Sequence, residues 1–126
     1  MARYDHLPIF ADAYQFALLV EQLVGNFSNK ARAALGADLR QQSQHILRCI
    51  IQVNSLALTE RYGVLQHLNW RVEETLILLR LAKDTRALPN LKAYEQCANL
   101  LYSVARQTQG WMRHLDKQRP DAAIDA

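Results

Sequence analysis

Apolar residues recur along this chain at alternating steps of three and four, the interval that keeps side chains on one side of an α-helix. Four such runs can be traced. Ile9, Ala13, Phe16, Val20, Leu23 and Phe27 carry the first, which Pro8 suits as an opening residue and which "GNFSNKARAALG" interrupts. Leu39, Gln42, Ile46, Cys49, Val53 and Leu56 carry the second, from about Gly36 onward, with Gln42 its polar member. The third starts around Tyr62, passes through Leu65, Leu68, Val72, Thr75, Leu79 and Ala82, and meets "KDTRALPN". The fourth holds Leu91, Tyr94, Ala98, Leu101, Ala105, Thr108, Met112 and Leu115 without a skip.

Four amphipathic runs joined by short links predict an all-α fold, an antiparallel up-down-up-down four-helix bundle, because a short connection leaves its two helices adjacent and reversed. A length of 126 residues can bury one core without metals or disulfides. A single domain is therefore expected over residues 1–119, followed by a disordered tail, "PDAAIDA", over 120–126. With 50% apolar residues, 21% charged, four Gly and three Pro, composition fits neither a disordered chain nor an all-β plan.

A lone bundle needs one apolar stripe per helix, so apolar residues opposite the seam carry information. Opposite the second seam lie Leu47, Ile51 and Leu58; opposite the third lie Trp70, Ile77 and Leu81. These six are the candidate subunit interface. Trp70 favours this reading, because an indole is costly to leave in water and anchors interfaces when buried.

The fourth helix differs. Its far side carries Asn99, Ser103, Arg106, Gly110, Arg113 and Lys117, three cations without the interleaved Glu that forms intrahelical pairs. Arg106, Arg113 and Lys117 are candidate phosphate contacts, and Lys30, Arg32, Arg40 and Arg48 are candidates to extend the same surface. The stripe holds no interleaved aromatics, so contact with phosphates rather than stacking on bases is expected. Net formal charge is only +3, from 15 Lys and Arg against 12 Asp and Glu; this permits an acidic partner without demanding one.

No pattern in the chain points to catalysis. The inward carboxylates and Glu-x-x-His steps of metal-binding bundles do not occur, Glu73 and Glu74 face away from their seam, and His6, His45, His67 and His114 lack ligand spacing. Cys49 and Cys97 sit far apart inside helical runs and read as reduced core thiols. No phosphate-cradling glycine loop or dinucleotide fingerprint is present. A non-enzymatic protein without metal or cofactor is expected, with no membrane span and a cytoplasmic location.

The helix order, "FALLVEQLV" in the first helix, the loop up to Gly36, "LRQQSQHILRCIIQVNSLAL" in the second, and "VARQTQGWMRHLDK" with its Gly110-Trp111 step resemble a bacterial family of small four-helix bundles. That family includes proteins encoded in intervening sequences of ribosomal RNA genes and the accessory variability determinants of diversity-generating retroelements. The resemblance covers nearly all of residues 8–118. It implies a homopentamer, five bundles forming a barrel around a channel, and, for the accessory determinants, binding of nucleic acid and of a partner reverse transcriptase through a basic surface.

Overall fold

The computed structural model describes residues 4–118 as four long helices, with no strand among them; the expected tail over 120–126 lies outside the described residues. The helices are α1 (Pro8–Gly25), α2 (Ala37–Ser55), α3 (Leu58–Asp84) and α4 (Leu91–Gln118). α1 packs on α2 and α4, and α3 packs on the same two, so α1 stands diagonally from α3 and α2 from α4. One core fills the centre, with Phe16, Leu39, Ile46, Leu65, Leu79 and Leu101 among its fully buried side chains. Truncating such a residue to Ala costs about 2–5 kcal/mol.

The first link is more helical than its sequence suggests. Ser28 Oγ accepts a hydrogen bond from the Ala31 amide at 3.2 Å, capping a short turn (Asn29–Ala31) that runs through a π-helical stretch (Arg32–Gly36) directly into α2. The second helical segment thus begins at Asn29, before Gly36. Gly36 is buried against the end of α1: a Cβ there would lie 2.8 Å from Val24 Cγ1 and 3.3 Å from Phe27 Cδ2. Only a glycine allows this approach without displacement. Arg32 then turns back, its Nη2 donating to the carbonyls of Gly25 at 3.1 Å and Phe27 at 3.0 Å, which places a cation on the carbonyl end of α1.

Two extended residues, Leu56 and Ala57, separate α2 from α3. Arg61 secures this corner by donating from Nε to the Leu56 carbonyl at 2.8 Å and from Nη2 to that of Asn54 at 3.3 Å. α3 opens at Leu58, four residues before the expected Tyr62, so Leu58 belongs to α3 and not to the second helix. The third link closes with Arg86 at a left-handed φ of 64°, Leu88 buried, and Asn90 Oδ1 accepting from the Ala93 amide at 2.8 Å.

Core positions match the periodicity in full on α3, where Leu65, Leu68, Val72, Thr75, Leu79 and Ala82 are all buried. Thr75 and Thr108 are accommodated because each hydroxyl donates to a carbonyl one turn back, Arg71 at 2.6 Å and Val104 at 2.8 Å. Elsewhere the seam shifts. Val24 takes the core position expected of Leu23, and Ser43 and Ile50 join α2's buried face while Gln42 is half-buried. On α4, Leu91 is exposed and Cys97 and Val104 are buried.

Side chains reach across each packed pair. Arg40 of α2 pairs with Glu21 of α1 at 3.0 Å, and Gln42 lies 3.5 Å from Glu74 of α3. Between α3 and α4, the Arg61 guanidinium sits 5.9 Å from the Trp111 ring, Asn69 accepts from Gln109 at 2.8 Å, and Lys83 lies 4.6 Å from the Tyr94 ring.

Candidate nucleic-acid interface and apolar ridge

On α4, Arg106, Arg113 and Lys117 are exposed along one outward strip, separated by steps of seven and four. Gly110 lies between them, and a Cβ added there would meet Arg113 Nη2 at 3.8 Å, an ordinary contact. Among the described residues ion pairs form at Arg40–Glu21, Arg71–Glu74 and Lys83–Asp84, and the three cations of this strip are in none of these. The far side is not polar surface throughout. Ser103 is bound to Asp12 of α1, and Asn99 lines a groove beside Gln96 and Leu18.

The remaining four cations do not extend that strip. Arg40 and Arg48 line the outer surface of α2, diagonally across the molecule from α4. Arg40 is held by Glu21, and Arg48 Nη2 lies 3.5 Å from Gln44 Oε1. Lys30 is exposed in the turn before α2, and Arg32 is engaged with the carbonyls of α1. The seven sequence candidates therefore separate, with three on α4, two on the outer surface of α2 diagonally opposite, and two in the link between α1 and α2.

The candidate interface residues divide as well. Trp70 is 60% exposed, Ile77 61% and Leu81 49%, an apolar ridge along the outside of α3. Trp70 and Ile77 form one wall of a groove of about 790 Å3 between α3 and α2. Leu47 and Ile51 are half-buried instead. Leu47 stands seven residues from Arg40, hence on the flank of α2 turned toward α1, away from Trp70. Leu58, also exposed, sits at the start of α3, 12 residues from Trp70 and a third of a turn around the helix. Three exposed apolar residues escaped the pattern: Tyr102 on α4, and the pair Tyr14 and Leu18, one turn apart on α1 at the corner opposite the ridge. Their spacing of four was the available signal.

A second basic group, spanning two helices, also escaped it. On the α2–α3 side, Arg71 Nε donates to His67 Nε2 at 3.2 Å, and Arg71 Nη1 lies 3.8 Å from Glu74. His45 faces the same group. Its basicity is lowered by burial, then by the charges of Arg71 and Arg48 and by His67, so every named neighbour acting on it is basic. The thiols behave as fillers: burial pushes Cys97 up to about 12 and raises Cys49, the latter against the pull of Arg71. Among the described residues no cluster of three or more His, Cys, Asp and Glu side chains has the geometry of a metal site, and no helix is long and apolar enough to cross a membrane. No protein-family model, curated protein or solved structure matches the chain.

Proposed function

We propose that this chain is a non-enzymatic binding protein that assembles into a homopentameric barrel of antiparallel up-down-up-down bundles and contacts nucleic-acid phosphates through its basic surface, as the accessory variability determinants it resembles do. The observation that carries the nucleic-acid reading is the α4 strip, where Arg106, Arg113 and Lys117 stand exposed and outside the ion pairs. The antiparallel order is supported by the α3–α4 contacts: Arg61, Asn69 and Lys83 meet Trp111, Gln109 and Tyr94, rising along one helix as they fall along the other. The assembly is supported by the α3 ridge, since a face holding Trp70 and Ile77 with most of their surface in water favours a partner.

Five copies would carry a formal +15, five times the +3 of one chain, and a ring repeats each strip so that weak phosphate contacts act together. Changing Arg106 and Arg113 to Gln should weaken binding of RNA or DNA about equally for all sequences and flatten its salt dependence, with helicity and mass unchanged. Unaltered affinity and salt slope in that double variant would remove the strip from the reading. The exposed ridge supports a second reading, a scaffold that docks another protein, such as a reverse transcriptase, without touching nucleic acid itself. Binding to the protein partner with no salt-dependent nucleic-acid affinity would favour it.

A further inference from the structure

We propose that His45 and Arg48 of α2 with His67 and Arg71 of α3 form a phosphate-binding site whose occupancy is coupled to proton uptake. The nucleic-acid reading enters only in naming one source of that phosphate; the site itself is independent of the α4 strip, which lies on another corner.

Four side chains from two helices converge here. Arg71 is half-buried and fixed in place by its Nε bond to His67 Nε2. That nitrogen accepts the Arg71 Nε–H, so the bond lasts only while Nε2 carries no proton. The His67 imidazole thus holds the guanidinium while no anion is present. His45 lines both the groove beneath Trp70, with Arg71, and the adjoining hollow on the outside of α2, with Arg48, so it sits where the two basic arms meet.

The surrounding charges divide along the groove. On α2, Arg40 is engaged by Glu21 and Asp38 lies seven residues before His45; on α3, Glu73 and Glu74 lie beyond Arg71. Glu74 is already met by Arg71 and Gln42. Burial lowers His45 most, and its neighbours Arg71, Arg48 and His67 lower it further, so part of the cost of a positive charge there comes from basic groups, and a phosphate dianion placed among them offsets that part. The same anion favours protonation of His67 at Nε2. Arg71 then loses an acceptor and its Nε–H is released toward the phosphate, with the proton taken from solvent.

The sign follows directly. Binding raises both histidines above their free values, so affinity is fully developed below the free values and is lost as pH rises through the bound ones. Each histidine raised by one unit strengthens binding about tenfold across that interval.

The test is an NMR titration of the histidine Cε1–H signals in the full chain, at matched ionic strength, with chloride alone, inorganic pyrophosphate, or a 20-base-pair DNA duplex as probe. His45 and His67 should titrate at least about half a unit higher in pyrophosphate, a threefold linkage in affinity. Arg48→Gln and Arg71→Gln should each abolish most of that rise, while Lys92→Gln, on exposed α4 surface, should leave it intact. A rise with the duplex too identifies backbone phosphate as a ligand; a rise with pyrophosphate alone supports the site with free phosphate as its ligand. Histidines unmoved by either probe, or moved equally in Arg71→Gln, overturn the site, and duplex binding lost in the Arg106 and Arg113 double variant would leave the nucleic-acid reading standing without it.

Discussion

Ser103 of α4 donates a 2.6 Å hydrogen bond from Oγ to Oδ2 of Asp12 on α1, 91 positions earlier in the chain. Gln107 Nε2 donates to the same oxygen at 2.9 Å and to Ser103 Oγ at 3.1 Å, closing a three-membered network. Ser103→Ala keeps Gln107 as a donor and leaves the site partly solvated, so the loss should be about 1.5 kcal/mol, the lower end for bonds to a charged group. Urea denaturation measures it. An unchanged midpoint would mean that water replaces the serine without penalty.

Gly36→Ala should cost about 1–3 kcal/mol, because the new methyl meets the branched Val24 side chain at 2.8 Å and Phe27 at 3.3 Å, so the packing there must shift. Combining it with Val24→Ala should give a smaller total loss than the two single losses added. Strict additivity in that cycle would show that the contact is relieved some other way.

Ile77 is mostly in water within one chain, so Ile77→Asp should change the stability of the isolated fold by no more than about 0.5 kcal/mol. Within an assembly that covers the ridge, the same change buries an unpaired charge and should dissociate it. Light scattering distinguishes the outcomes, and an unaltered mass would place the subunit interface elsewhere.

Cys97 supplies a pH dependence. Burial raises its folded value from 9.0 to about 12, so the folded state keeps the thiol proton over an interval in which the unfolded chain has lost it. Stability should therefore fall as pH rises above about 9, by at most about 1.4 kcal/mol per unit from this group, and this contribution should level off near the folded value. Comparison with Cys97→Ala isolates it, because the variant loses stability at every pH but should show a shallower alkaline decline. Parallel curves would assign the decline to other groups.

The helical architecture was legible because burial repeats with the helical period. α3 followed it at every expected core position, whereas on α4 Ala98, Leu101, Thr108 and Leu115 are buried as expected but Ala93, Cys97 and Val104 join them in place of Leu91, Tyr94, Ala105 and Met112. The period failed where neighbouring helices widen the buried arc, as at Ser43 and Ile50, and where Gly36 is needed for contact with a different helix. Arg106, Arg113 and Lys117 share an outward strip, as their spacing on one helix requires. The relation of Arg40 and Arg48 to that strip depends on which helices are diagonal, and one-dimensional spacing carries no information about that. Arg48 was singled out, but its grouping with His45, His67 and Arg71 was equally hidden, since each helix contributes half of the group.

Arg61 touches three of the four helices: it belongs to α3, holds the final carbonyls of α2, and lies over Trp111 of α4. At the Arg86 corner Lys83 over the Tyr94 ring joins α3 to α4 alone, and a non-glycine residue is kept in a left-handed turn. The two ends of α3 are therefore anchored unequally. Breathing motions should begin at the Arg86 corner and travel inward, with the Arg61 corner opening late, so that the molecule loosens from one pole while the other still holds three helices in register.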